Sequence, residues 1–320
     1  MSNSTREPIY ELPLQLCWFG LGLAGTITNL MILIIIAKTK DLHNKSQYAV
    51  FSHALPEFLL SLSTMTSGLS GISVCVLKLP AWTQYDCMIF NLPQNITGSA
   101  TLMATMQLGV DRLLASNRPI FYKKLNTFRY LLIINVFIWS YGIVQVIAAF
   151  ILTAPFANET VAFCAYTTAL SPANALVSNM LGGMTSMCTI GVYVMALCTV
   201  GHRYWGTKWL NEAQRTVWAR KVQLGAFKTI MFLGIMFFVF WAMVVAFQFI
   251  ARHTMAPLEG GIAFLYGALL LNVNSVTHLF VYLGLNPKFR SGFQSVIMKK
   301  EVTMVFSIKS SKGGQKSGAV

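Results

Sequence analysis

Charge is what this sequence lacks. Only 11% of its 320 residues are Asp, Glu, Lys or Arg, against about a quarter in an ordinary soluble domain. Acidic residues are the scarcest, 10 against 24 Lys and Arg. A chain with so few charges cannot cover a soluble surface of this size, so lipid has to cover it, and the sequence reads as an integral membrane protein. The six cysteines include no CxxC pair, which speaks against a zinc framework. Nor is a cleavable secretory leader legible in the opening residues. The opening MSNSTREPIYELPLQ is polar, and the first apolar run is long enough to span by itself as an uncleaved signal-anchor. The net charge of +14 raises nucleic acid as a partner. The basic residues, however, fall between apolar runs rather than along one face, and no nucleic-acid module is legible, so no such partner is expected.

Apolar residues are abundant, at 55% of the chain with a mean hydropathy of +0.59. About 20 mostly apolar residues cross the hydrocarbon as a helix. Seven stretches qualify: Leu12–Ala37, Tyr48–Ile72, Gln84–Ala115, Tyr130–Ile151, Ala173–Val200, Leu224–Ala251 and Gly261–Leu285. The third is the most polar, and the third and seventh carry the weakest apolar signal. With the N-terminus outside, 21 of the 24 Lys and Arg fall on inner segments, leaving Arg6, Lys78 and Arg252 outside. Translocating basic residues is costly, so the sequence predicts an all-α seven-helix bundle, N-terminus out and C-terminus in. Residues 1–11 form an extracellular N-terminus and 12–285 the bundle. Residues 286–298, with KFRSGFQSVIMKK at helical spacing, form an amphipathic helix on the inner leaflet. Residues 299–320 form a disordered cytoplasmic tail.

Where charge enters the apolar runs it is informative. Asp111-Arg112 stands at the inner end of the third span, in GVDRLLASNRPIFYKKL. An unpaired Arg in hydrocarbon costs several kcal/mol, so it must pair or snorkel. The neighbouring carboxylate can hold the guanidinium at the inner mouth, where a planar, permanent charge can meet a partner's carbonyls. Read alone, the pair is also satisfied by a plain topology anchor.

VDRLLASNRPIFYKKL resembles the Asp-Arg-Tyr region of rhodopsin-like (class A) G-protein-coupled receptors, including Pro119 and Tyr122 downstream, with Leu113 in place of the family's tyrosine. Other matches stand at the family's intervals: Asn29 in GTITNLMIL, Trp82 in PAWTQYDC, Trp139, Phe237 and Trp241 around FVFWAM, and Tyr282 before NPKFR. Some positions depart from the pattern. Met243 replaces the sixth helix's kink proline, His278-Leu279 replace Asn-Pro, and Glu57 replaces the second helix's aspartate. These loosened motifs, with the short loops and the size, look most like the nematode serpentine chemoreceptors of class sx.

The resemblance implies a receptor rather than an enzyme, with an extracellular ligand, a heterotrimeric G protein and the plasma membrane as its setting. It implies a disulfide between Cys87, 25 residues before Arg112, and Cys164 in the second outer loop. Coupling would involve Asp111, Arg112, Leu113, Gln223 and Tyr282, and the activation switch Phe237, Trp241 and His278. Gln94, Trp241 and Asn272 would contact the ligand. Gln94 stands where amine receptors keep an Asp and Asn272 where opsins keep the retinal lysine, which counts against both ligands. Gln223 stands where many relatives lock the Arg with an acid, so some ligand-independent signalling is expected.

No cofactor is implied except a sodium ion at Glu57, Thr101, Asn274 and Ser275. An ion-free Glu57–His278 polar lock and a pair serving only helix packing are open alternatives. The sequons at Asn3 and Asn158 are expected to be glycosylated. Tail serines Ser307, Ser310, Ser311 and Ser317 offer phosphate sites, for which a receptor kinase and arrestin would be partners. Two other classes compete. A transporter or channel would show broken helices and paired midplane charges, whereas Glu57 is nearly alone. His53, Glu57 and His278 supply the residue types of a zinc-dependent membrane hydrolase, but not the motif spacing.

Overall fold

The computed structural model describes residues 12–77, 82–160, 164, 172–206, 228, 231–242, 244, 246, 250 and 257–296. Among them the fold is helical, relieved only by an isolated antiparallel bridge between Thr83 and Thr160. The first span is Leu12–Lys38, the second Lys45–Leu77, the fourth Thr127–Thr153, the fifth Pro172–Gly206 and the seventh Pro257–Leu285. Most overrun the apolar runs at one or both ends, because a helix satisfies its own backbone and need not stop where the hydrocarbon does. The first, second, fourth and fifth spans are each long and apolar enough to cross a membrane, while the seventh has a shorter apolar stretch, Leu269–Leu285.

The third span differs from the single helix expected. It is two helices, Gln84–Phe90 and Leu92–Asn117, broken at Asn91. Pro93 in the first turn of the second piece has no N–H to give back to the preceding turn, so the helix restarts there. The described part of the sixth span contains a π-helical turn, Phe238–Ala242, across the FVFWA aromatics. Such a bulge is one of the few causes of a sharp helix bend other than proline, and it falls where the sequence has Met243 instead of proline.

Beside an apolar core, this bundle buries polar side chains and exposes large apolar ones more freely than a soluble protein does. Asn29, Thr64, Thr101 and Thr189 are fully buried, while Ile133, Val144, Ile151, Met187 and Phe280 lie exposed on the outer faces of their helices. Lipid tails are as apolar as leucine, so burial of Leu and Ile does not drive these helices together; close packing and interhelical hydrogen bonds do. The first and second spans show the close approach most clearly. A Cβ at Gly68 would stand 2.5 Å from the backbone nitrogen of Phe19, and one at Gly22 would strike the backbone of Met65. Each glycine admits the other helix's main chain.

The last helix, Pro287–Val296, folds back on the bundle. Asn286 Oδ1 accepts from the Phe289 amide at 3.2 Å, capping the start. Phe289 is fully buried beside Tyr282, with ring centroids 5.7 Å apart, and Gly292 packs on Thr39. Arg290 donates to the terminal carbonyls of Leu283 and Gly284 at 3.0 Å, satisfying the end of the seventh span.

Candidate functional site

At the inner end of the third span, Asp111 is fully buried, and its Oδ1 accepts from Tyr122 Oη at 2.7 Å and from Tyr130 Oη at 2.9 Å. Arg112 is only 4.0 Å from Asp111 Oδ2, the outer limit of an ion pair. Its guanidinium donates instead to the hydroxyl and carbonyl of Ser46 at the foot of the second span. Asp111 therefore organises the inner loop, and Ser46 holds the arginine. Lys45 completes the cluster by donating to the carbonyls of Tyr122 and Lys123 at 2.7 and 2.9 Å, with its ammonium 5.5 Å above the Tyr122 ring. Burial, reinforced by the adjacent Asp111 carboxylate, raises the Tyr122 phenol above its ordinary range, so it is a permanent donor. A Tyr122→Phe, Tyr130→Phe double variant strips both donors from a buried carboxylate. It is expected to lower the receptor's thermal stability by about 3 kcal/mol or more, read as a fall in melting temperature in detergent.

The centre of the bundle is polar. Asn29 donates to the Gly25 carbonyl at 3.0 Å and to Ser275 Oγ at 2.8 Å, and Ser61 Oγ lies 3.0 Å from Ser275 Oγ. First, second and seventh spans are thus tied through one serine. Just beyond, Glu57 Oε1 stands 3.9 Å from His53 Nε2 and 3.8 Å from His278 Nδ1, with all three side chains buried. These are contact distances rather than hydrogen bonds. His53 Nε2 also lies 3.1 Å from Thr105 Oγ1 on the third span. Thr101 Oγ1 and Asn274 Oδ1 are buried without a hydrogen-bond partner among the described residues.

Above this lies an aromatic ladder. Trp241 stacks on Phe237 at 6.3 Å and Phe237 on Tyr193 at 6.5 Å, the rings tilted by 10° and 13°. Tyr193 Oη reaches the Thr105 carbonyl at 3.4 Å, so the sixth span leans on the third through the fifth. Gln94 is half-buried and accepts from Ser67 Oγ at 3.2 Å, while Asn272 is buried in the seventh span.

At the other end, Cys87 and Cys164 form a disulfide. Trp82, Met88 and Phe150 pack around it, and Asn91 Nδ2 approaches Cys164 Sγ at 3.2 Å. The amide of Gln84 donates to the Glu159 carbonyl at 2.8 Å, which seats the second outer loop on the top of the third span. Asn158 is exposed in that loop.

Of the residues singled out from sequence, Leu113 packs into the inner apolar core, and Tyr282 is buried with its hydroxyl unpartnered among the described residues. Gln223, Asn3 and the tail serines lie outside the described residues, as do Arg6, Lys78, Arg252 and Met243. Sequence reasoning missed Ser46, Tyr130, Thr105 and Tyr193. Each meets its partner across at least 19 positions of chain, and no local pattern marks a Ser, Thr or Tyr on an apolar helix as a contact.

Comparison with known proteins agrees with this geometry. A pyrokinin-1 receptor of Drosophila melanogaster is 26% identical over 144 residues, covering 44% of this chain and 33% of that protein. A rhodopsin of Alloteuthis subulata is 25% identical over 127 residues, 39% of this chain and 28% of that one. The matched region thus spans about a third or less of these curated relatives. The crystal structure of squid rhodopsin superposes with a TM-score of 0.70 at 18% identity, over 91% of this chain and 86% of that one, establishing the shared seven-helix fold. A family model described as serpentine type 7TM GPCR chemoreceptor Srsx matches residues 23–297. The chain is a multi-pass membrane protein of that fold, and it belongs to the Srsx family of serpentine G-protein-coupled chemoreceptors.

Proposed function

We propose that this receptor sits in the plasma membrane with its N-terminus outside and transduces an extracellular small molecule or short peptide to a heterotrimeric G protein. The observation that carries the reading is the buried Asp111 with its two tyrosine donors, beside an Arg112 that hydrogen-bonds Ser46 and lies at the outer limit of an ion pair with Asp111. Family membership implies a non-enzymatic receptor with an extracellular ligand and a G protein. The guanidinium's hold is polar and lies at the edge of the bundle, so an entering helix with free C-terminal carbonyls can replace it. The inner loop beside it forms a hollow of about 560 Å³ lined by Asn117, Arg118, Pro119, Ile120, Phe121 and Lys124, a basic and apolar rim suited to that guest.

Orientation is supported by the disulfide, since such bonds persist on the oxidising side of the membrane, and by the basic residues gathered at the opposite end. On that side Asn3 and the exposed Asn158 would carry glycans. The ligand would enter between the spans near Gln94, Trp241 and Asn272, and displacing Trp241 would reach the inner mouth through the ladder to Tyr193. The tail serines would meet a receptor kinase and arrestin.

Because Gln223 replaces the acid that restrains the arginine in many relatives, the receptor should signal without ligand. The experiment is expression in heterologous cells with a G-protein reporter. Basal output above vector control is expected, falling in Gln223→Glu by the equivalent of about 1 kcal/mol, an exposed ion pair's worth. A silent receptor, or basal output indifferent to that change, argues against it.

A further inference from the structure

We propose that His53, Glu57 and His278 form a transition-metal site, a two-histidine, one-carboxylate set for Zn²⁺ that staples the second span to the seventh. One ligand atom from each residue lies within 4.8 Å of the other two, and all three side chains are buried. Zinc ligands about 2.0–2.1 Å from a tetrahedral ion stand about 3.3–3.4 Å from one another. Glu57 Oε1 at 3.9 Å from His53 Nε2 and 3.8 Å from His278 Nδ1 is about half an ångström short of that contraction. The donors converge without bonding to each other, and a cation between them supplies the missing interaction.

His278 Nδ1 gives the independent observation. It is a buried ring nitrogen with no hydrogen-bond partner among the described residues, and it faces a carboxylate oxygen. Leaving such a group unmade costs free energy that an ion recovers. The donor set also discriminates between ions. Sodium is hard and takes oxygen, whereas two imidazole nitrogens on one carboxylate suit a borderline cation such as zinc. Ser275 lies against the Glu57 carboxylate and is also engaged by Asn29 and Ser61.

The site has a built-in competitor. Thr105 Oγ1 donates to the Thr101 carbonyl at 2.9 Å, so it accepts from His53 Nε2–H at 3.1 Å. A metal takes that same nitrogen in its deprotonated form. Ion binding therefore releases the second span from the third and ties it to the seventh, with the fourth coordination position left to water. The ion is an allosteric ligand of the bundle, and its binding is read directly, whatever the receptor's signalling partner.

The test uses the full-length receptor, purified in detergent with any affinity tag removed, and Co²⁺ as the spectroscopic probe. Dialysis is expected to leave about one equivalent of Co²⁺ with the strong visible bands of a four-coordinate, nitrogen-ligated site. Zn²⁺ should displace it and excess Na⁺ should not. His53→Gln, Glu57→Gln and His278→Gln, each confirmed monodisperse, should lose the bands, while the exposed His202→Gln should keep them. No retained cobalt overturns the proposal. Retained cobalt without the tetrahedral spectrum, an adventitious ion only, also overturns it, a result read on the unaltered protein even if a variant fails to fold. Displacement by Na⁺, or bands that survive in folded His278→Gln, would do the same.

Discussion

An Arg112→Ala receptor is expected to reach the cell surface and fail to activate a G protein. The guanidinium is 17% exposed and, among the described residues, makes its hydrogen bonds to Ser46, at the rim of the bundle. Removing it takes the paired cation from Asp111 Oδ2, which has no hydrogen-bond partner among the described residues, so some loss of stability accompanies the loss of coupling. Asp111 keeps both of its tyrosine donors, so the inner loop should hold its shape. What is lost is a permanent, planar donor at that mouth. A charge-assisted hydrogen bond to a docked helix contributes about 1.5–3 kcal/mol, so coupling should fall roughly 10-fold to more than 100-fold. Arg112→Lys should recover only part of it, because an ammonium cannot reproduce the bidentate fork. The measurement is nucleotide exchange normalised to surface expression. Full output from the alanine receptor would show that Arg112 is not the group that engages the G protein.

Replacing Cys87 with serine is expected to have the largest effect on the folded protein itself. The bond closes a loop of 77 residues, and cross-linking a loop of that size restrains the unfolded chain by about 4–5 kcal/mol. That approaches the whole stability of many domains. Cys164 also anchors the second outer loop on Trp82 and Phe150, so breaking the bond frees the loop over the outer end of the bundle. Cys87→Ser and Cys164→Ser should each lose most surface expression. The double variant should be no worse than either single one, because both remove the same constraint. Independent, additive losses in the two single variants would show that the cysteines act separately.

Much of the architecture was readable because membrane solvation is a composition problem. A span must be apolar for about 20 residues, so each crossing leaves its mark on composition. Helix ends were read less well. The second span begins at Lys45 and not Tyr48, since hydropathy marks the hydrocarbon boundary and not the end of hydrogen bonding. The break at Asn91 was legible in principle from Pro93, but the long apolar run around it masked the signal. At the site, Asp111, Arg112, Glu57 and His278 stood out because charged or imidazole groups are costly among apolar neighbours. Ser46, Tyr130 and Thr105 did not, since hydroxyls are common on helices of every kind.

The sequence by itself determined how often the chain crosses the bilayer and which residues carry buried charge, because both follow from the free energy of putting each side chain into lipid. The tertiary structure alone decided who meets whom. It gave Asp111 to two tyrosines and Arg112 to Ser46, and it brought His278 of the seventh span against the His53–Glu57 face of the second. Such pairings depend on helix rotation and close approach. Those are set by contacts such as Gly22 on Met65 and Gly68 on Phe19, between segments that one-dimensional patterning treats as independent.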